Sequence, residues 1–209
     1  MASVAKMVQY GSHSRLRMNP GIGQTGIYCL AAKFSRKVVH NANQHLDRCR
    51  PVTGIKRDDG KLVHKISGES PSVGSTVTGV IDWDRRYLLM RTHTALHILC
   101  GVVWRDYGAK VTGGDMKPGE GRMDFEFENF SAEFAGELEA KVNAEVAANR
   151  DISVHHISRE EADKIPDLIR TKINLLPSNI QEIRTIDIHG LDLQADGGTH
   201  VASTREVGV

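Results

Sequence analysis

The sequence predicts an α+β fold, with an antiparallel or mixed sheet packed with helices. Three observations predict it. Met123-Asp-Phe-Glu-Phe-Glu128 alternates strictly between apolar and acidic residues, the period of a half-buried strand. Phe134, Leu138, Val142 and Val146 recur every four residues, which makes one buried stripe on a helix. Helical and strand-like segments are interspersed without a repeating βα unit, which argues against a doubly wound parallel sheet.

Taken in order, residues 1–60 show no sustained period of 2 or 3.6 and are rich in Gly, Asn, Ser and Arg. Asn19-Pro-Gly-Ile-Gly-Gln24 reads as a loop. Leu62–Ile66 is a short strand, and the β-branched stretch Ser75–Tyr87 predicts one or two more. A helix is expected to begin near Thr92 as N-cap, with Leu96, Leu99 and Val103 as its apolar stripe and Gly108 just past its end. The strand at Met123 and the helix through Phe134 follow. Asp151–Ile157 is a further strand, and Ser158-Arg-Glu-Glu161 is a capping box opening a short helix before Pro166. Glu182–His189 reads as a strand, and Gly190–Gly198 as a turn-rich segment.

Apolar content of 40% and charge of 25% are ordinary for a globular chain with a real core. No run of about 18 apolar residues is present, so no membrane-spanning helix is predicted. Cys29, Cys49 and Cys100 are odd in number and scattered, so a disulfide framework or zinc ribbon is not indicated. A reducing compartment, and with it a cytoplasmic location, is the expectation. The net charge of +1 conceals an asymmetry. Residues 1–50 carry eight basic residues and one acid, Asp47, while the remainder carries 19 basic and 25 acidic residues. Such a basic segment can touch a phosphate backbone, can be a transit peptide, or can be a solvated surface. The compositional break near residue 60 is the candidate boundary. It divides a basic segment, 1–60, from the remainder, 61–209.

Two short motifs carry the chemistry. Arg91-Thr-His-Thr-Ala-Leu-His97 puts His93 and His97 four residues apart on a helix, so both rings project from one face. Asp196-Gly-Gly-Thr-His200 offers a carboxylate and an imidazole around a Gly-Gly pair, which allows the chain to turn tightly. Imidazole nitrogen and carboxylate oxygen both suit Zn²⁺, so the four residues make one candidate metal site. Each motif alone is unspecific: histidine pairs on amphipathic helices are mostly structural, and Gly-Gly-Thr-His can be an ordinary turn.

The residues around both motifs extend the pattern. They include Ile81-Asp-Trp-Asp-Arg-Arg86, Met90-Arg-Thr-His-Thr-Ala-Leu-His-Ile-Leu99 and Val111-Thr-Gly-Gly114. Asp124-Phe125, Asn143 and Arg159-Glu-Glu-Ala162 follow, then Asp192-Leu-Gln-Ala-Asp-Gly-Gly-Thr-His-Val201 and Glu206-Val-Gly208. In this order and spacing, residues 79–208 resemble the freestanding alanyl-tRNA editing proteins (the AlaX family). They are similar too to the editing domains of alanyl- and threonyl-tRNA synthetases. The resemblance implies a hydrolase that deacylates mischarged Ser-tRNA(Ala), and also Gly-tRNA(Ala), using one bound Zn²⁺. It implies metal ligation by the positions matching the HxxxH and CxxxH pairs of the family, here His93, His97, Asp196 and His200. Catalysis then runs through His93, His97 and His200 by way of the metal. The partner implied is tRNA, with no role for DNA or a membrane.

Three departures from the family pattern bear on this. The usual cysteine is Asp196, a harder ligand than thiolate. Pro20-Gly-Ile-Gly-Gln24 stands where many members have Gly-Gly-Gly-Gln, with no matching threonine upstream. Residues 25–60 match poorly, and a further strand is expected beyond Val209, so a divergent or partial N-terminal module is one expectation. Gln24, Gly197, Gly198 and Thr199 are candidate substrate-binding residues, with backbone N–H groups at the two glycines as oxyanion donors. Arg85, Arg86 and Arg91 are candidate tRNA contacts. Cys100 is an alternative metal ligand or a buried structural thiol, and Trp83 and Trp104 stack on a nucleotide or pack in the core. The competing functions are editing of another mischarged tRNA, such as Ser-tRNA(Thr), and a catalytically idle tRNA-binding protein.

Overall fold

The computed structural model describes residues 37–41, 50–58, 61–70, 77–127, 131–172, 176 and 178–208. The described residues fall into two compact units, one ending at Tyr87 and the other beginning at Leu88. The architecture is α+β with antiparallel sheets, as the interspersed periods predict.

The first unit contains a four-stranded sheet of β1 (Lys37–Asn41), β2 (Arg50–Asp58), β3 (Lys61–Ile66) and β4 (Val77–Ile81), in the order β3-β2-β1-β4. All neighbours are antiparallel. β2 lies in the stretch expected to be irregular. It was hidden because its residues alternate polar and apolar only weakly, and its pairing with β3 supplies the order that its own pattern lacks. The β2–β3 pair spans the compositional break near residue 60.

The long helix α1 (Trp83–Tyr107) begins nine residues before the expected N-cap. Asp82 does the capping: its Oδ1 accepts from Arg85 N at 3.1 Å, and Asp84 adds an acid to the first turn. Among its described residues, 77–87, the stretch 75–87 therefore holds one strand, β4, and the start of a helix. Thr92 is buried inside α1, where its hydroxyl donates to Leu88 O at 2.8 Å and accepts from Gly119 N at 2.9 Å.

In the second unit, β5 (Val111–Lys117) and β6 (Glu120–Phe125) form a hairpin. The alternating segment at Met123 thus enters the strand as its end, and the strand stops at Phe125. The stripe at Phe134 lies on α2 (Ala132–Ala147), with Leu138 and Val146 buried and Ser131 accepting from Phe134 N at 3.2 Å as the cap. β7 (Ile152–Ser158), β8 (Glu182–Ile188) and β9 (Asp192–Ala195) form an antiparallel sheet in that order. The short helix α3 (Arg159–Asp163) opens on the predicted Ser158/Glu161 capping box, both halves of which are made. Ile183, Ile186 and Ile188 of β8 and Ile98, Val102 and Val103 of α1 are among the fully buried residues. Leu193 and Ala195 of β9 pack on the core of Ala162, Leu168 and Ile183. In a strand, alternate residues face oppositely, so Asp192, Gln194 and the following Asp196 share the other face. No helix among the described residues is long and apolar enough to cross a membrane.

Candidate metal centre

The rings of His93 and His97 project from one face of α1, as the i, i+4 spacing requires. The segment after β9 carries His200 to them. The ring centroids stand 4.9 Å (His93–His97), 4.3 Å (His93–His200) and 4.6 Å (His97–His200) apart. Asp196 completes the group. Its Oδ1 is 3.5 Å from His93 Nε2 and 4.0 Å from His97 Nε2, and its Oδ2 is 3.2 Å from His200 Nε2. One ligand atom from each of the four residues lies within 4.8 Å of the others. Among the described residues this is the single group of three or more His, Cys, Asp or Glu side chains close enough to hold a metal ion.

The loop that delivers Asp196 and His200 is held from several sides. Arg184 donates to Asp196 O at 2.7 Å, and Asp196 N donates to Arg184 O at 3.1 Å. Gly198 N donates to Asp196 Oδ2 at 2.6 Å. Thr94, fully buried on α1, accepts from Val201 N at 3.3 Å and lies 3.1 Å from His200 Nδ1. His93 hydrogen-bonds to the Thr199 backbone. His97 Nδ1 faces Asp192 Oδ2 at 3.7 Å.

Burial sets the electrostatics. Desolvation pushes His93 down to about 4 and His200 well below the usual imidazole value, so both rings are neutral near pH 7. Burial alone would raise the Asp196 carboxyl; the His200 hydrogen bond and the surrounding imidazoles outweigh it and hold the group well below the usual carboxylate range. A carboxylate with three imidazole Nε2 atoms turned on it is a donor set that fits a divalent cation. Three nitrogens and one oxygen, without thiolate, suit zinc and other borderline metals.

The remaining candidates separate. Gly197, Gly198 and Thr199 lie in the loop between Asp196 and His200, but the Gly198 N–H is engaged by Asp196 and is not turned outward as an oxyanion donor. Gln24 lies outside the described residues. The Arg91 guanidinium donates to Val207 O from Nε at 2.9 Å and from Nη2 at 2.6 Å, anchoring the 3₁₀ turn Thr204–Val207. Arg85 and Arg86 sit in the first turn of α1, with backbone N–H groups bonded to Asp82. Cys100 is a buried free thiol beside Gln194 and Asp192, pushed up to about 12 chiefly by desolvation. Trp104 donates to Asp167 Oδ2 at 3.1 Å and lies under the Arg170 guanidinium at 4.8 Å, whereas Trp83 is exposed and stacks on Tyr87 at 6.3 Å. Sequence reasoning did not single out Thr94, Gly101, Arg170, Arg184 or Asp192. The period of 2 through Asp192, Gln194 and Asp196 was the signal for the last.

No protein-family model matches the sequence. Curated proteins do. The chain is 39% identical over 159 residues to the alanyl-tRNA editing protein AlaX-M of Saccharolobus solfataricus, a match covering 75% of this chain and 66% of that protein. It is 34% identical over 160 residues to AlaX-M of Methanosarcina barkeri, with the same shares. It is 36% identical over 165 residues to the alanine–tRNA ligase of Pyrobaculum aerophilum, covering 76% of this chain and 18% of the ligase. The chain thus spans a little under two thirds of the length of the AlaX-M relatives it matches.

Proposed function

Because the chain belongs to the alanyl-tRNA editing protein family, we propose that it is a trans-editing hydrolase that deacylates mischarged Ser-tRNA(Ala), and also Gly-tRNA(Ala). The observation that carries this reading is the convergence of three imidazole Nε2 atoms on the Asp196 carboxylate. His93, His97, Asp196 and His200 would hold one zinc ion. When bound, zinc supplies Lewis acidity for attack of water on an ester carbonyl.

The reaction needs modest assistance, because an aminoacyl ester is already activated. Water adds to the carbonyl carbon, the bond to the ribose oxygen breaks, and that oxygen leaves as the terminal hydroxyl of the tRNA while the free amino acid departs. The chain's own residues prepare the site. Burial of the rings keeps His93 and His200 unprotonated and available as ligands. The bonds from Gly198 N and Arg184 fix Asp196 before any ligand arrives, so little side-chain entropy is lost on binding. Every member of the group lies in the unit beginning at Leu88, within residues 61–209, to which we assign the editing activity. We assign residues 1–60, with Gln24, to a divergent N-terminal module, and Arg85 and Arg86 to contact with tRNA.

The test is a panel of charged tRNAs. The full chain, loaded with zinc, is incubated with Ser-tRNA(Ala), Gly-tRNA(Ala), Ala-tRNA(Ala) and Ser-tRNA(Thr). Release of serine from Ser-tRNA(Ala) well above the rate for Ala-tRNA(Ala) is expected, and its loss in His97→Ala with the fold retained. Equal, near-blank rates on every member, with tRNA still bound, identify an idle binding protein. Faster release from Ser-tRNA(Thr) reassigns the substrate.

A further inference from the structure

Asp192 is a buried carboxylate that belongs neither to the four-residue group nor to the apolar core. Its side chain is 1% exposed. Oδ1 lies 3.2 Å from Arg170 Nη2, Oδ2 accepts from Gln194 Nε2 at 2.5 Å, and Oδ2 also faces His97 Nδ1 at 3.7 Å. His97 Nδ1 is buried without a hydrogen-bond partner. A buried ring nitrogen left in this way is costly unless it serves something.

We propose that Asp192 is a positioning residue for His97: its carboxylate accepts a hydrogen bond from Nδ1–H, so that the Nε2 lone pair points at the Asp196 side of the group. A neutral imidazole has one N–H, and a carboxylate stands on each side of this ring. Asp196 Oδ1, the oxygen on the Nε2 side, stands 4.0 Å from that nitrogen and lies nearer His93 Nε2, at 3.5 Å. Asp192 Oδ2 is nearer, at 3.7 Å from Nδ1, so the His97 proton belongs on the Asp192 side. Closing the 3.7 Å separation to an ordinary N–H···O distance takes a movement of roughly 0.7 Å.

Two further observations support a built arrangement. Gly101 is one helical turn after His97, and a Cβ there would lie 2.9 Å from Asp192 Cβ and 3.0 Å from Leu191 Cγ. The missing side chain is what lets Asp192 come up against α1 beside His97. Arg170, itself buried, balances the charge. It is held by Asp167 Oδ2 at 2.9 Å and by the face of Trp104. The chain of contacts runs from Trp104 and Asp167 through Arg170 and Asp192 to His97.

The consequence for zinc rests on the metal reading above; the tautomer does not, which keeps the two separable. In the metal-free full chain, long-range ¹H–¹⁵N spectra of labelled histidine give the proton position on each ring, with His97 identified by its loss in His97→Gln. A protonated Nδ1 and a bare Nε2 are expected. In Asp192→Asn the amide oxygen stays with the Arg170 donor and the NH₂ takes the place of Oδ2, facing Nδ1 while Gln194 turns its own oxygen toward it, so the tautomer should reverse or become mixed. An Nε2–H tautomer in the unaltered chain overturns the proposal, and this outcome needs no variant to fold. So does an unchanged tautomer in folded Asp192→Asn. Zinc affinity by chelator competition should fall about 10–100-fold in Asp192→Asn, and equal affinities count against the proposal. If the unaltered chain takes up no zinc, the metal reading fails while the tautomer still decides the role of Asp192.

Discussion

Gly198 lies directly against His93: a Cβ built on it would stand 2.2 Å from His93 Cε1 and 2.5 Å from Nδ1. This glycine is required by the space that the ring occupies. Gly198→Ala should therefore drive the His93 ring out of the group and leave the rest of the fold in place. A stability loss of about 1–3 kcal/mol is expected from the overpacking. Zinc content after dialysis should drop below one per chain, and deacylation should fall by roughly 10²-fold, the scale of a 1 Å misplacement. Metal analysis with a melting curve checks this; full zinc retention would mean that the ring can stay put.

The metal-free chain should lose stability on acidification. His93 is depressed from 6.5 to about 4 by burial, so between those values the unfolded chain binds a proton that the folded chain refuses. Stability therefore falls as pH drops from about 6.5 toward 4, by on the order of 3 kcal/mol for this one ring. His200 is shifted in the same direction and adds to the loss. Asp196 is depressed too, so its contribution is present above its unfolded value near 3.8 and is lost below that. Urea midpoints of the chelated protein at pH 7.5, 6 and 5 measure the slope. In His93→Gln the slope should shrink, and a flat profile in the unaltered chain would contradict the burial of the rings.

The four positions of the candidate metal group were legible in the sequence because helix spacing and a Gly-Gly turn each bring two side chains together locally. That the two pairs meet was implied by family resemblance, since no local pattern relates position 97 to position 196. The partners behind the rings were not legible. Thr94 is one of two threonines on α1, and its role depends on Val201 arriving from the far end of the chain. Asp192 reads as an exposed turn acid until Arg170 and Gly101 are placed around it. The capping box of α3 was legible because both of its members lie within four residues. The start of α1 was misread because Thr92 and Asp82 are both good caps by type, and tertiary contacts turned Thr92 inward.

Glu145 is a second residue whose importance is tertiary. It is buried on α2 between Arg105, at 2.5 Å from Nη1, and Arg150, at 2.6 Å from Nε. Burial would raise its carboxyl, but the two guanidinium groups outweigh this and hold it below the usual range. Glu145→Ala removes the shared partner of both cations. The arginines are partly exposed, so the loss should be about 2 kcal/mol, less than for a fully buried pair. Thermal denaturation reads it, and zinc binding should be unaffected because Glu145 touches none of the four ligands. A variant that loses zinc at unchanged stability would mean that the α1–α2 contact reaches the metal group.

Gly101→Ala separates local helix preference from tertiary fit. Alanine is better than glycine inside a helix by about 1 kcal/mol, so on α1 alone the substitution stabilises. The new methyl, however, meets Asp192 Cβ at 2.9 Å and Leu191 Cγ at 3.0 Å. Asp192 Cβ is bound to the β9 backbone and cannot swing aside as a long side chain would, so strand and helix must part by a few tenths of an ångström. Overpacking of this kind costs about 1–3 kcal/mol, which equals or exceeds the helix gain. The net expectation is a chain about 1 kcal/mol less stable with Asp192 displaced from His97. Zinc affinity should then weaken in the same direction as in Asp192→Asn, although every ligand and every charge is intact. Chelator competition alongside a urea titration checks both parts, and a more stable protein with unchanged zinc affinity would show that β9 yields freely and that the close approach is not needed.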